Sequence, residues 1–234
     1  MKALILNSGM GSRMGSLTSE HPKCMTELKD EETILSRQLR LLTEAGIDRV
    51  VITTGRFAEV LTQYCRGLKL PCDFTFVHND IYAKTNYIYS IALAEKELQD
   101  DDILLLHGDL VFDREALSRV LKEQRSCMAV SSTQPIPEKD FKAVIKNGRI
   151  EKVGVEFFEN VMAAQPLYKL KQADWLIWLE NILRFCEAGE RRCYAENALN
   201  EVTGELKLYP CDVEDLLCTE VDNPEDLRKV RELL

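Results

Sequence analysis

The 234-residue sequence holds no apolar run near the roughly 18 residues that a bilayer span needs, so a membrane-spanning role is not expected. It also lacks a basic excess. Thirty Lys and Arg against 39 Asp and Glu leave a net charge of −9, which argues against a protein that grips nucleic acid through its phosphates. The eight cysteines contain no Cys-x-x-Cys pair and the three histidines are scattered, so zinc-ligand spacing is missing. Reduced, mostly buried thiols are expected instead, including Cys24, although it follows a candidate site lysine. No internal repeat, low-complexity tract or long linker interrupts the chain. With 45% hydrophobic residues, one domain over residues 1–234 is the expectation. Met1-Lys2-Ala3 leads straight into an apolar strand instead of a signal peptide, and a cytoplasmic location is expected on that ground.

What is present begins with Leu4-Ile5-Leu6-Asn7-Ser8-Gly9-Met10-Gly11-Ser12-Arg13, followed by Pro22-Lys23. An apolar strand here runs into a glycine loop that carries two cations. Glycines allow backbone N–H groups to approach a polyanion without Cβ interference, and Arg13 and Lys23 supply positive charge for a triphosphate. Two better-known phosphate loops do not fit. A dinucleotide fingerprint needs a third glycine where Met14 stands, and a Walker loop needs Gly-Lys-Ser/Thr after four intervening residues. A tight strand-to-helix turn that uses glycine for geometry alone explains Gly9 and Gly11, but not Arg13 with Lys23.

Strand-like runs at Lys2–Asn7, Arg49–Thr54, Asp73–His78 and Ile103–His107 alternate with helix-period stretches at Ile34–Ala45, Phe57–Arg66 and Ile88–Leu98. This alternation predicts an α/β fold with a mostly parallel, Rossmann-like sheet flanked by helices. Beyond residue 120 the pattern becomes mixed or antiparallel. Met128–Ser132 and Phe141–Ile145 read as strands, and Asn147-Gly148 is a hairpin turn answered by Arg149–Val153. Helices are predicted over Ala173–Ala188 and Pro224–Leu233. Residues 1–120 would form a nucleotide-binding half, and the family resemblance described below implies that 121–234 form an acceptor-binding half. Ligands of such sheets bind at the carboxyl ends of strands, where Gly9–Arg13 and His107-Gly108-Asp109 both fall. Asp109, at a strand end, is a candidate Mg²⁺ ligand; a turn or cap aspartate is the plainer alternative.

These residues resemble the nucleotidyltransferases that make nucleoside-diphosphate sugars and alcohols, whose signature is Gly-x-Gly-x-Arg followed by Pro-Lys. That family usually has two alanines where this chain has Asn7 and Ser8. The loop Asn79-Asp80-Ile81-Tyr82-Ala83-Lys84-Thr85-Asn86-Tyr87 through Ser90 is similar to its cytidylyltransferase branch, with Tyr87 replacing the second member of an Asn pair. The resemblance implies CTP as donor, a small phosphorylated amine, alcohol or phosphonate as acceptor, and Mg²⁺ held by Asp109 and a late aspartate, here Asp222. Lys23 and Arg13 would be catalytic. Leu6, Asn7, Ser8, Gly9, Gly11, Ser12, Thr85, Asn86 and Ser90 would join them and Asp109 around the nucleotide.

On the acceptor side the resemblance points to Tyr82, Tyr194, Glu196 and Asn197. Glu196 would meet an amine, and Trp175 and Trp178 would offer aromatic faces to an ammonium group. The two tryptophans also sit at core spacing on one helix. Neither nucleic acid nor membrane is an expected partner, and a homodimer is compatible with the sequence. Two other readings stay open: a sugar-1-phosphate nucleotidylyltransferase using UTP, GTP or dTTP, and a nucleotide sensor without turnover.

Overall fold

A computed structural model describes residues 1–234, apart from the side chain of Ser12. The chain runs β1 (Lys2–Asn7), the small hairpin β2 (Glu27–Lys29) and β3 (Glu32–Thr33), α1 (Ile34–Glu44), β4 (Arg49–Thr54), α2 (Ala58–Gly67), β5 (Asp73–His78), α3 (Tyr87–Leu93) and β6 (Ile103–His107). It continues through β7 (Leu110–Phe112), α4 (Arg114–Lys122), β8 (Cys127–Ser131), β9 (Lys142–Lys146), β10 (Arg149–Gly154), β11 (Val161–Leu170), α5 (Gln172–Glu187), α6 (Ala195–Val202), β12 (Tyr209–Asp212), β13 (Cys218–Glu220) and α7 (Pro224–Leu233).

One nine-stranded sheet organises these elements. Its main path is β10-β9-β11-β6-β1-β4-β5, with β8 paired to β11 and β12 paired to β8. The neighbours β6, β1, β4 and β5 are parallel, and their near-continuous apolar sequences suit strands covered on both faces. Side-chain alternation splits them. Leu4, Leu6, Ile103 and Leu105 face one core shared with α3, α5 and α6, whereas Ala3, Ile5, Leu104 and Leu106 face the other, under α1, α2 and α4. Trp175 and Trp178 are fully buried in the first core, with their indole N–H groups donating to Leu98 O and Ala195 O. Both are therefore packing residues, which removes them from the expected acceptor site.

The predicted parallel strands coincide with β1, β4, β5 and β6, and Asn147 and Gly148 take the two positive φ angles, 52° and 72°, of the β9–β10 turn. The helix expected over Ile88–Leu98 instead ends at Leu93 and is followed by a 3-10 turn, Glu95–Glu97. Strand β11, the antiparallel link between the two parts of the sheet, has no counterpart among the expected strands. Its pairing with β8 shifts register between Ala164 and Tyr168, the stretch that contains Pro166. Proline cannot donate to a ladder and is tolerated at such an irregularity. No helix among the described residues is long and apolar enough to cross a membrane.

Candidate active site

Going outward from β1, the next strands are β4 on one side and β6 on the other, so the order reverses between β1 and β6. A crevice opens at the carboxyl ends there. The Gly9–Gly11 loop leaves β1 on one side, and the turn Gly108-Asp109 leaves β6 on the other. Gln38 in α1 fixes that turn, its amide donating to His107 O at 2.9 Å and Leu110 O at 2.7 Å. The antiparallel pairing of β13 with β7, continued by Val221 N–H to Asp109 O at 3.0 Å, then carries Asp222 to the same place. Asn223, not Asp222, caps α7, and so the Asp222 carboxylate is free to face the crevice.

The cations meet these carboxylates. Lys23 Nζ donates to Asp109 Oδ2 and to Asp222 Oδ1, each at 2.6 Å, and Arg13 Nη1 lies 2.9 Å from Asp222 Oδ2. A cavity of about 250 Å³ adjoins the cluster, with Gly9, Gly11, Arg13, Lys23, Asp109 and Asp222 in its wall. Gly11 needs its left-handed φ of 62°, while a side chain at Gly9 would meet nothing of the protein. Burial disfavours the charge on Asp109, but the charges of Lys23 and His107 outweigh it and hold the carboxyl below its usual range. Lys23 mirrors this. Burial is overcome by Asp109 and Asp222, which keep the ammonium charged.

Behind Asp109 lies a buried pair, His107 Nδ1 to Glu220 Oε1 at 2.9 Å. Burial opposes the imidazolium, but Glu220 and Asp109 push His107 up to about 9; burial and Asp109 push Glu220 up to about 7. The pair thus keeps a proton through neutral pH. Around it stand Tyr87, Phe141 and Tyr194, with centroids 4.8 Å between Tyr87 and His107 and 5.1 Å between Phe141 and Tyr194. These rings line a neighbouring cavity of about 350 Å³ together with Asp140 and Glu220. Burial and the nearby Asp222 and Asp226 raise the Asp140 carboxyl.

Residues 3–196 match the model of the MobA-like NTP transferase domain. The chain belongs to this family. Among curated relatives, the CMP-5'-(3-aminopropyl)phosphonate synthase of Streptomyces rubellomurinus is 28% identical over 98% of this chain and 38% of its own length. The choline-phosphate cytidylyltransferase of Streptococcus pneumoniae is 25% identical over 100% of this chain and 98% of its own. Against three of the curated relatives the chain spans about half their length or less, 38%, 46% and 52%. In fold, it superposes on the CTP:phosphocholine cytidylyltransferase from Streptococcus pneumoniae with a TM-score of 0.80 at 21% identity, over 99% of this chain and 98% of that one.

On this MobA-like scaffold the expected residues divide into those brought together and those left apart. Leu6, Asn7, Gly9, Gly11, Arg13, Lys23, Asp109 and Asp222 share the cavity of about 250 Å³. Ser8, Tyr82, Thr85 and Asn86 line an adjoining one of about 310 Å³. Ser90 is buried beneath it and ties the two loops: Ser8 Oγ lies 2.7 Å from Ser90 Oγ, and Asn79 donates to Ser90 Oγ at 2.9 Å and to Thr85 Oγ1 at 3.0 Å. Asn86 caps α3, its side chain accepting from Tyr87 N–H at 2.8 Å. The side chain of Ser12, expected at the phosphates, lies outside what the structure describes.

Glu196 requires a correction. It is only 1% exposed, and the hydroxyls of Tyr87 and Tyr168 donate to its two oxygens, so it braces Tyr87 from below instead of meeting an amine. Asn197 is exposed on α6 and lines none of the three cavities, while Tyr194 does line the aromatic one. The expectations missed His107, Glu220, Asp140 and Phe141. Strand periodicity held the signal for two of them, because residues two apart at a strand end share a face: His107 with Asp109, and Glu220 with Asp222.

Proposed function

We propose that this chain transfers a cytidylyl group from CTP to a small phosphorylated or phosphonate acceptor that carries a cationic amine, releasing pyrophosphate with the help of Mg²⁺. The observation that carries this reading is the convergence of Arg13, Lys23, Asp109 and Asp222 on one cavity at the strand-order reversal. The donor set suits a divalent ion. Asp109 Oδ1 is buried without a partner, and the other oxygens of the pair already gather around a cation, the Lys23 ammonium. Asp109 and Asp222 would hold Mg²⁺, which when bound supplies charge neutralisation at the phosphates.

In the reaction an acceptor oxygen bonds to the α-phosphorus as the bond to the leaving pyrophosphate breaks, with no covalent protein intermediate. Lys23 and Arg13 orient the triphosphate and offset the charge that builds on the leaving group. Asn7, whose buried Nδ2 has no partner, and Ser8 face the nucleoside. The acceptor's anionic end approaches past Arg13, and its amine enters the chamber of Tyr87, Phe141 and Tyr194, where Asp140 and Glu220 complement the charge. The names of the relatives support CTP with phosphonate or phosphocholine as the donor and acceptor class.

The test is to incubate the chain with Mg²⁺, each of four nucleoside triphosphates and a set of acceptors, reading pyrophosphate and product mass. Product from CTP with phosphocholine or an aminoalkylphosphonate is expected. Product from UTP, GTP or dTTP with a sugar 1-phosphate would replace this reading with the sugar-nucleotide one, and nucleotide binding without pyrophosphate would replace it with a sensor.

A further inference from the structure

The cation lying between the two site carboxylates is supplied by the chain itself. Lys23 takes Asp109 Oδ2 and Asp222 Oδ1, Arg13 takes Asp222 Oδ2, and Asp109 Oδ1 alone is left without a partner. Two carboxylates and two basic side chains sum to no net charge, so a divalent ion arriving here gains little attraction and meets a like charge at the oxygens it needs. We propose that Lys23 is an internal counter-ion that competes with the divalent metal for Asp109 and Asp222, so that metal is held weakly until the phosphates of a nucleotide draw Lys23 and Arg13 away. This rests on the reading above that the two aspartates are the metal ligands.

The local structure permits such an exchange. Lys23 begins a 3-10 turn, Lys23–Met25, whose next residue, Cys24, is fully buried, so the backbone is anchored and the four-carbon stem is what moves. A Cβ on Gly11 would approach Lys23 Cβ to 3.3 Å, so the stem leaves the turn directly against the phosphate loop. From there the ammonium reaches either the carboxylates or the cavity that Gly9 and Gly11 line. Arg13, 70% exposed, has still more freedom. Lys23 then has two alternating partners: the carboxylates before nucleotide binds and the phosphates afterwards. Nucleotide and metal must accordingly strengthen each other's binding, and by the same factor in both directions.

The test titrates Mn²⁺ into the full chain without nucleotide, reading free Mn²⁺ by electron paramagnetic resonance. Lys23→Met should bind Mn²⁺ at least about tenfold more tightly than wild type, since a unit charge about 4 Å from a divalent ion is worth that much even in a watery dielectric. Adding Asp222→Asn to Lys23→Met should abolish the gain. Arg13→Ala, a change at an exposed side chain that leaves the core untouched, should give a smaller gain of a few fold and keeps the test open if Lys23→Met does not fold. Equal or weaker Mn²⁺ binding in the lysine or arginine variant overturns the competition. A gain that survives Asp222→Asn overturns the seat itself. Failure of the wild type to release pyrophosphate from CTP under any metal would strike the proposed function, and leaves these affinities standing on their own.

Discussion

Gly108→Ala tests how the two halves of the crevice fit. A Cβ at Gly108 would stand 1.7 Å from Asn7 Oδ1 and 2.4 Å from Asn7 Cγ. Those separations lie far inside van der Waals contact, and Asn7 is buried, so one of the two must move. Asn7 Nδ2 makes no hydrogen bond, which lets the side chain turn without breaking one, and the space open to it is the cavity that Asn7 lines with Lys23 and Asp109. The cost is therefore that of an overpacked site, about 1–3 kcal/mol, not of a lost hydrogen-bond network. The assay is urea unfolding of wild type, Gly108→Ala, Asn7→Ala and the double variant. Removing the amide should relieve the clash, so the double variant should be more stable than the sum of the single changes by about 1–2 kcal/mol. Gly108→Ala should also weaken CTP binding, because the displaced amide fills the cavity. A wild-type urea midpoint for Gly108→Ala, or no relief from Asn7→Ala, would refute the idea that glycine is required here by close approach.

Three further outcomes follow from the same geometry. Asp109→Asn keeps the shape of the side chain and removes its charge, so half-maximal pyrophosphate release should need at least about tenfold more Mg²⁺; a metal dependence like that of wild type would take Asp109 out of the ligand set. His107 has a folded pKa raised from 6.5 to about 9. Its contribution is thus fully present below about 6.5 and lost as pH rises through about 9, a change on the order of 3 kcal/mol. His107→Gln should flatten urea stability over that window, and parallel wild-type and variant curves would count against it. Lys142 is fully buried, donating to Pro137 O at 2.9 Å and Glu138 O at 3.3 Å beneath the Phe158 ring. Lys142→Met leaves those carbonyls unpaired, at about 1–3 kcal/mol, and should make segment 134–140 sensitive to protease; an unchanged digestion pattern would contradict the anchoring role.

The parallel half of the sheet was legible because its strands carry their own evidence. Ile103-Leu104-Leu105-Leu106 is an unbroken apolar run, and Gly46, just past α1, takes a positive φ of 80°. Strand β11 lacked that clarity. Met162-Ala163-Ala164-Gln165-Pro166 mixes small residues, a buried glutamine and a proline, so neither strand alternation nor helix periodicity stands out, and pairing with β6, β8 and β9 decides its state. Glu196 was misread for a related reason. Glutamate is rarely buried without partners, and its partners, Tyr87 and Tyr168, come from α3 and β11, which no local pattern connects to α6.

The site was legible as residue types and hidden as an arrangement. Two cations beside a glycine loop single out Arg13 and Lys23 as candidates for an anion site, and Asp109 stands out at the end of a buried strand. Asp222 is different, since a helix cap before Pro224 accounts for an aspartate there equally well, and only the β7–β13 pairing turns it toward Asp109. That pairing has a further consequence. It sets Glu220 opposite Leu110 and leads Val221 onto Asp109 O, so Glu220 and Asp222 both arrive at the wall that His107 and Asp109 line. The 2.9 Å bond between His107 and Glu220 joins the end of β6 to the end of β13 across that wall. A change that shifted β13 by one residue would therefore displace Glu220 and Asp222 together, which ties both carboxylates of the crevice to one short stretch of backbone pairing.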